Sequence, residues 1–318
     1  MLVELYAKTD VGRIRSGNED NFLVLDLTST RAWVGLDGAG ANREAPPDGL
    51  RRFELGERGV VFVVSDGMGG ALAGDVASRM AVETVRDMLI AEAAEGGEGE
   101  GACGPETALI ECLRNAIEYA NFAIHRKSQE DARCAGMGAT LTAAALVGST
   151  LDFIQVGDSR AYLIRQAEIK LATKDQSLVQ QLVDVGQISE EEAETHMFRN
   201  VILQALGAQA ELVPVVGRVR LRQGDLLLLC SDGLSGKLRA EDIRQIVAQA
   251  KDDLPAACDE LVKEANRRGG EDNITVVLAR FTGEDLPAPD SRKIIIESPT
   301  LSDDRTLTYE DEQDTEHP

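Results

Sequence analysis

The sequence of 318 residues is 43% hydrophobic, which is enough to bury a substantial core in one large domain or two ordinary ones. Its formal net charge of −22, with no stripe of basic residues, excludes a nucleic-acid binder, because contact with phosphates needs clustered Lys and Arg. No stretch approaches the roughly 18 apolar residues that cross a bilayer, so we expect no membrane association.

The N-terminal residues predict a pair of strands joined by a polar turn. Leu2–Asp10 alternates apolar and polar side chains, Gly12–Asp20 is rich in charge and glycine, and Phe22–Leu27 is the partner strand. Ala32–Leu36 predicts a further strand. The next segment, Asp37–Gly59, has the Gly, Pro, Asn and Arg content of a surface loop or insertion rather than of core.

The strongest local signal is Val60–Gly70, VVFVVSDGMGG. It begins with five apolar residues, four of them β-branched, as in a strand buried on both faces, and it then ends in Ser-Asp followed by three glycines within four residues. The same pattern recurs at Leu226–Gly233, LLLLCSDG. Two strand ends of this kind, carrying Asp66 and Asp232, can face one site.

Helices and short strands alternate in runs after this signal. Apolar spacing predicts helices over Ala71–Ala91 and from Pro105 onward, with a Gly/Glu-rich break between them. Predicted strands follow at Thr140–Val147, Leu151–Val156, Ala161–Arg165, Val213–Val219, Asp225–Cys230 and Thr275–Phe281. Further helices are predicted at Gln176–Val185, Ala240–Gln249 and Leu254–Arg267, and Gly186–Gly207 is a polar segment that we call the flap. Strands that bracket helix pairs in two runs indicate a layered α+β fold.

The last 37 residues, 282–318, differ in composition from the rest of the chain. They hold 11 acidic residues against 3 basic ones and therefore predict a disordered tail after a domain of residues 1–281. Ile294–Ile296 can instead add to a sheet edge or to a partner. Thr300 and Thr308 each precede an aspartate by three residues, so phosphorylation and capture by a phosphothreonine-binding module is one use of the tail; a solubilising acidic segment is the simpler one.

Four aspartates share a position beside an apolar run. Asp66, Asp158 and Asp232 follow such runs, and Asp272 precedes one. Each alone is ordinary turn chemistry, but together on adjoining sheets they would converge on one rim and repel unless cations lay among them. Oxygen-only ligation selects Mg²⁺ or Mn²⁺, and two such ions would activate a water to attack a phosphate ester. Three histidines and no paired cysteines give a zinc site little support.

Six short motifs lie in order across residues 1–281: Arg15–Asp20 (RSGNED), Val64–Gly70 (VSDGMGG), Gly136–Thr140 (GMGAT), Val156–Arg160 (VGDSR), Ser231–Leu234 (SDGL) and Glu271–Asn273 (EDN). In these motifs the chain resembles the metal-dependent serine/threonine protein phosphatases of type 2C, in their compact bacterial form. The resemblance implies one catalytic domain, a four-layer α-β-β-α sandwich with two central, mainly antiparallel sheets. It also implies two or three Mn²⁺ or Mg²⁺ ions per chain.

The resemblance further implies the ligands of these ions. Asp66 would bridge two metals, and the Gly67 carbonyl would complete the shell of the first. Asp232 and Asp272 would hold the second metal. Asp158 would help Asp232 to bind a third, looser ion.

Three further residues receive roles from the same resemblance. Glu19 and Asp20 would act through metal-bound waters. Arg15 would clamp the substrate phosphate with its forked donors, the alternative being a solvated arginine in a turn. The residues expected to carry catalysis are thus Arg15, Asp66 and Asp232.

The chain also departs from the family pattern. Met68 stands where some relatives carry a histidine that is a candidate general acid, so the identity of the proton donor is open. Gln176 stands where relatives often carry histidine, and no catalytic role is assigned to it. His196 in the flap is read as a surface residue, and no cysteine is followed six positions later by the arginine that a thiol phosphatase needs.

The function implied is hydrolysis of phosphoserine and phosphothreonine in proteins by a metal-activated water, which would oppose a bacterial serine/threonine kinase. The expected partners are phosphoproteins and that kinase. Five widely spaced cysteines without a C-x-x-C pair, and an N-terminus unlike a signal peptide, favour a cytoplasmic protein, which we expect to be a monomer. The alternatives are a catalytically silent scaffold that binds phosphoproteins and a signalling phosphatase dedicated to one regulator.

Overall fold

The chain folds into two β-sheets with helices on their outer faces, in a computed structural model that describes residues 1–35, 46–70, 73–94, 105–289, 293–297 and 307–308. The strands are β1 Leu2–Asp10, β2 Asp20–Asp26, β3 Arg31–Val34, β4 Arg52–Glu54, β5 Val60–Met68, β6 Gly138–Ala139, β7 Leu141–Val147, β8 Thr150–Val156, β9 Arg160–Arg165, β10 Glu168–Leu171, β11 Val215–Arg220, β12 Leu226–Cys230, β13 Ile274–Thr282 and β14 Leu307–Thr308. The helices are α1 Ala73–Ala94, α2 Pro105–Glu130, α3 Leu178–Asp184, α4 Glu190–Thr195, α5 Asp232–Ser235, α6 Ala240–Ala250 and α7 Leu254–Arg267.

The two sheets have different strand orders. The first runs β10-β9-β12-β13-β1-β4, and the second runs β14-β11-β8-β7-β5-β2-β3, with β6 pairing to the end of β5. Among the described strands, neighbours pair antiparallel except for β11 and β14, which are parallel. The predicted mainly antiparallel pair of sheets is confirmed.

Three hydrophobic layers hold the molecule together. Alternate residues of β5 point to opposite sides: Phe62 packs between the sheets, and Val61 and Val63 pack under α1 and α2. On the first sheet, Leu228 lies under α6 and α7 while Leu229 faces the other sheet. Both faces of each sheet are covered, which is why β12 and the first five residues of β5 are continuous apolar runs, and the predicted four-layer α-β-β-α sandwich is confirmed.

The helices over the second sheet pack closely because their inner faces are small. The buried face of α1 includes Ala77 and Ala81, which allow the backbone of α1 to approach the strands and α2. Ile110 and Ile117 of α2 are fully buried in the same layer. In the described part of the chain, no helix has the length and apolar character needed to cross a membrane.

The segment predicted as a surface loop, Asp37–Gly59, needs a correction. Residues 36–45 lie outside the described residues, but Leu50 is fully buried in the layer between the sheets. Arg52–Glu54 forms β4, which pairs with β1 at the edge of the first sheet. The prediction was wrong here because one leucine among many polar residues carries no periodic signal.

The tail is described in part, and there it packs against the sheets. Backbone bonds of 2.7 and 2.8 Å join Arg218 and Glu297, and the side chains of Ile294 and Ile296 are buried between the sheets. For 293–297 the sheet-edge alternative therefore applies instead of disorder. Residues 290–292, 298–306, with Thr300, and 309–318 lie outside the described residues, so their disorder stays a prediction.

Candidate metal centre

The predicted carboxylates gather at one end of the two sheets. Asp20 begins β2 and lies directly opposite Asp66 of β5 in the antiparallel register. Asp232 follows β12 as the first residue of α5, and Asp272 lies two residues before β13. Asp158 lies in the turn between β8 and β9. All five lie in a strand or within two residues of one in the central layers, so the sandwich brings them to one rim.

Glycines let the backbone close tightly around this rim. A Cβ atom placed on Gly67 would lie 2.1 Å from the carbonyl oxygen of Gly74, and one placed on Gly233 would lie 1.9 Å from the carbonyl oxygen of Asn273. Both distances are far inside van der Waals contact with backbone atoms that cannot rotate away. The glycine in each Ser-Asp-Gly corner is therefore required by packing against a second segment of the site.

A side-chain network fixes the loop that precedes β2. The Asn273 side chain donates to the carbonyl oxygens of Val11 and Gly17, both at 2.9 Å, and its Oδ1 accepts the Glu19 N–H at 2.8 Å. The Gly67 N–H donates to the Glu19 carbonyl oxygen at 3.1 Å. Asn273 thus ties the loop that carries Arg15 to the sheet that carries the aspartates.

The Arg15 guanidinium lies at the outer side of the rim. Its Nη2 donates to Asp272 Oδ2 at 2.8 Å, and the two side chains are 49% and 37% exposed. The hydrogen bond to Asp272 raises the pKa of Arg15, as do the charges of Glu19 and Asp66. An ion pair this exposed contributes under about 1 kcal/mol, so Arg15 is free to exchange its partner for an incoming anion.

Burial and mutual repulsion raise the pKa values of the inner carboxyls. Burial raises the pKa of Asp20 to about 7, with Asp232 and Asp272 adding to it and hydrogen bonds from Ser231 and Thr275 opposing it. Burial, followed by the charges of Asp232 and Asp175, raises the pKa of Asp158 to about 8. These carboxyls keep their protons near neutral pH unless positive charge comes among them.

The other inner carboxyls shift in the same direction. Burial is the largest cause of the raised pKa values of Asp66, Asp232 and Glu19. The pKa of Asp66 is raised further by Asp20 and Asp232, and a hydrogen bond between Asp66 and Asp232 opposes the rise at Asp232. The rim thus concentrates negative charge that only protons or cations can neutralise.

Three carboxylate oxygens at the rim are available to bind a cation. Oδ1 of Asp20, Asp158 and Asp232 is buried and has no hydrogen-bond partner. A buried acceptor without a partner costs free energy, and a hard divalent cation is the ligand that a set of oxygens would bind. The donor set therefore fits Mg²⁺ or Mn²⁺.

The carboxylates are at present held by neighbours. Asp272 pairs with Arg15, Ser231 Oγ donates to Asp20 Oδ2 at 2.7 Å, and Asp66 bonds to Asp232. Among the residues that the structure describes, no three acidic, histidine or cysteine side chains already form the shell of an ion. Binding of a cation would exchange these protein–protein bonds for coordination.

Comparison with known proteins identifies the family of this chain. The family model described as protein phosphatase 2C matches residues 48–277, well over half of the sequence. The chain belongs to the protein phosphatase 2C family. Its enzyme class is accordingly that of a serine/threonine protein phosphatase.

Individual members of the protein phosphatase 2C family agree with this assignment. The chain is 34% identical over 277 residues to the serine/threonine phosphatase stp of Listeria monocytogenes, covering 85% of this chain and 93% of stp. It is 36% identical over 252 residues to the protein phosphatase PhpP of Streptococcus pneumoniae, covering 79% and 97%. The catalytic domain of the serine/threonine protein phosphatase PstP, solved with 2 manganese ions, superposes with a TM-score of 0.66 at 30% identity, covering 89% of this chain and 100% of that domain.

Some residues of this phosphatase lie apart from the rim, and others at the rim were not singled out by sequence. His196 follows α4 in the flap and packs against Phe198, with ring centroids 5.6 Å apart. Ser231 and Thr275 hold Asp20, although nothing in their motifs distinguishes them from turn and strand residues. Arg160 forms a bidentate pair with Asp175 at 2.7–3.1 Å, and a separation of 15 positions in the sequence leaves no local signal of this pair.

Proposed function

We propose that this phosphatase hydrolyses phosphoserine and phosphothreonine in proteins with the help of Mn²⁺ or Mg²⁺ bound at the carboxylate rim. When bound, such ions supply a nucleophilic water at neutral pH and polarise the phosphoryl oxygen. The observation that carries the proposal is the set of three buried carboxylate oxygens without hydrogen-bond partners, on Asp20, Asp158 and Asp232. The manganese-containing structure of PstP supports the choice of cation.

The residues proposed to hold the ions divide into three groups. Asp66 and the Gly67 carbonyl would hold the first ion, with Asp66 shared by the second. Asp232 and Asp272 would complete the second, and Asp158 with Asp232 would take a third, looser ion. Their common place at the rim supports this division. Glu19 and Asp20 would orient water around the ions through their carboxylate oxygens.

The residue proposed to bind the substrate phosphate is Arg15. Its guanidinium is half exposed and holds Asp272 only through an exposed ion pair. A phosphate at the rim would accept two parallel N–H bonds from it, a geometry that a lysine cannot supply. Met68, in the position of the histidine of some relatives, offers no proton to the leaving oxygen, so the donor must be another group.

The setting of the enzyme is proposed from the same family membership. Its partners would be phosphoproteins and a cognate serine/threonine kinase, and its place the cytoplasm as a monomer. The tail would carry a second contact, with a phosphothreonine-binding module, through Thr300 or Thr308. Of these two, Thr308 lies in β14 and Thr300 lies outside the described residues.

Hydrolysis of a phosphothreonine peptide tests the proposal. We expect turnover with Mn²⁺, no turnover with EDTA, and recovery when Mn²⁺ is restored. The variant Asp232→Asn should lose more than about 100-fold in turnover, since even the loss of an outer partner of a metal ligand costs roughly 10- to 100-fold. Asp87→Asn, on the exposed surface of α1, is the matched control and should keep full activity. A metal-loaded, folded protein without turnover would favour the silent scaffold.

A further inference from the structure

Gln176 lies between the turn that carries Asp158 and the start of α3. Its N–H donates to the carbonyl oxygen of Gly157 at 2.9 Å, and its side-chain Oε1 accepts the N–H of Gly157 at 2.8 Å. One residue therefore holds both backbone groups of the residue immediately before Asp158.

The remaining polar groups of Gln176 reach the flap and the segment that enters β11. Its Nε2 donates to the carbonyl oxygen of Val213 at 3.0 Å, and its own carbonyl oxygen accepts the N–H of Leu203 at 2.8 Å. Leu203 lies in the flap, and Val213 lies two residues before β11. All four hydrogen-bonding groups of Gln176 are thus used, and they join three separate segments.

Gln204 completes the same connection from the flap side. Its Nε2 donates to the Val213 carbonyl oxygen at 2.7 Å, and its Oε1 accepts the Val213 N–H at 2.8 Å. The flap is therefore tied to Val213 twice, once through Gln204 and once through Gln176. Only Gln176 extends the connection to the Asp158 turn.

The turn that carries Asp158 is held by hydrogen bonds from side chains outside it. Gly157 has a φ of +103°, and a Cβ there would lie 2.8 Å from Thr140, so the backbone has a conformation that only glycine adopts readily. Gln155 Nε2 gives the Gly157 carbonyl oxygen a second donor at 3.1 Å. Removal of the Gln176 side-chain amide therefore frees the Gly157 N–H, while the Gly157 carbonyl oxygen keeps both of its donors, the Gln176 N–H and Gln155 Nε2.

We propose that Gln176 is a positioning residue that sets the Asp158 carboxylate and the flap relative to each other. The inference rests on the proposed function, in which Asp158 helps to bind the loosest cation. It predicts that the affinity for that cation depends on Gln176, although Gln176 does not contact the ion. A side chain with one acceptor and one donor is needed, which methionine of similar length does not provide.

Three variants separate this role from general stability. Gln176→Met removes the side-chain bonds to Gly157 and Val213, and Gln204→Met removes only the bonds to Val213. Gln181→Met, an exposed residue of α3, is the matched control. Thermal unfolding first establishes that all three variants are folded.

The first measurement is amide hydrogen exchange of the metal-free proteins. In Gln176→Met the Gly157 amide should exchange at least about tenfold faster, as expected when a protecting bond worth roughly 1.4 kcal/mol is lost. Gln204→Met should release the Val213 amide and leave Gly157 protected, and Gln181→Met should change neither. Unchanged protection of Gly157 in Gln176→Met would overturn the inference.

The second measurement is calorimetric titration with Mn²⁺. The weakest Mn²⁺ site should lose about tenfold in affinity in Gln176→Met, the usual effect of removing a partner behind a metal ligand, while the tighter sites stay unchanged. Equal losses in Gln176→Met and Gln181→Met would overturn the inference. Because hydrogen exchange needs neither metal nor turnover, a wild-type protein that binds no Mn²⁺ would count against the proposed function and leave the exchange result to decide the role of Gln176.

Discussion

At the scale of single residues, the rim leaves one oxygen of each of three buried carboxylates without a hydrogen-bond partner. Most buried polar atoms in proteins find a hydrogen bond, yet three aspartate oxygens here do not. They lie among like charges whose repulsion burial strengthens; the charge of Arg15 opposes the raised pKa of Asp232, and that of Arg160 opposes the raised pKa of Asp158. The same features that weaken the metal-free protein create affinity for a divalent cation.

Arg15 is expected to act on substrate and not on the metal. The variant Arg15→Ala should lower kcat/KM for a phosphothreonine peptide by roughly 10- to 100-fold, since a charge-assisted hydrogen bond contributes about 1.5–3 kcal/mol. Its Mn²⁺ affinity should not weaken, because a positive charge is removed from the rim. Steady-state kinetics and a Mn²⁺ titration measure the two effects. Arg13→Ala, in the same loop, is the control, and equal kinetic losses in the two variants would contradict the role given to Arg15.

The raised pKa values predict an unusual pH dependence of stability without metal. The pKa of Asp20 is raised to about 7 and that of Asp158 to about 8, so in the native state they hold protons that they lose in the unfolded state above about pH 4. The stability that they contribute is complete below the unfolded pKa and is lost as the pH rises through 7 to 8. In EDTA, the midpoint temperature of thermal unfolding should therefore decrease as the pH is raised from 5 to 8.

The variant Asp158→Asn assigns this effect to the rim. It removes one of the shifted groups, so its thermal midpoint in EDTA should fall less steeply over the same pH interval. Saturating Mn²⁺ should flatten the profile of the wild type, because cations replace the protons. A wild-type profile in EDTA that falls no more steeply than that of Asp158→Asn would contradict the raised pKa of Asp158.

At the scale of elements, each corner of the rim depends on close backbone contact. Gly233→Ala would place a Cβ 1.9 Å from the Asn273 carbonyl oxygen, between the segments that carry Asp232 and Asp272. We expect it to lower the free energy of unfolding by about 1–3 kcal/mol, as overpacking does, and to weaken Mn²⁺ binding. Gly17→Ala, where a Cβ meets nothing within 4 Å, is the control for urea unfolding. Equal stability of the two variants would argue against the contact.

The part of the tail at 293–297 offers a second test at this scale. Ile296 is 3% exposed between the sheets and its neighbour Ile295 is 65% exposed, so alternate side chains face in and out as in a paired strand. Ile296→Ala should cost about 2–5 kcal/mol of unfolding free energy, and Ile295→Ala close to nothing. Urea unfolding measures both. Similar losses for the two would mean that the tail does not pack on the sheet edge in solution.

The elements show which parts of the fold a sequence can predict. β5 was expected from its run of β-branched residues, and it extends to Met68 because β6 pairs with its last residues. β4 and the burial of Leu50 were missed, since they depend on contacts with β1 and the inter-sheet layer and not on local pattern. Similarly, the Arg160–Asp175 pair depends on the fold, which brings the start of β9 next to the loop between β10 and α3.

At the scale of the whole molecule, two sheets place five carboxylate-bearing segments at one rim. Neither sheet alone could do this, because Asp20 and Asp66 lie in strands of the second sheet and Asp232 and Asp272 lie beside strands of the first, while Asp158 lies in the turn that joins β8 of the second sheet to β9 of the first. The motifs and their order predicted the sandwich through family resemblance. The contacts that hold the rim, such as those of Asn273 and Gln176, join segments that are far apart in the sequence or lie in different loops, so local sequence patterns do not predict them.

The central claim is that this rim is a centre for divalent cations. Calorimetric titration of the metal-free protein with Mn²⁺ tests it most directly, with Asp66→Asn and the surface control Asp87→Asn alongside. We predict that the wild type and Asp87→Asn bind at least two Mn²⁺ ions per chain. Asp66→Asn should lose the tight sites although a thermal unfolding experiment shows that it is folded. A wild type that binds no Mn²⁺, or an Asp66→Asn variant that binds it unchanged, would contradict the claim.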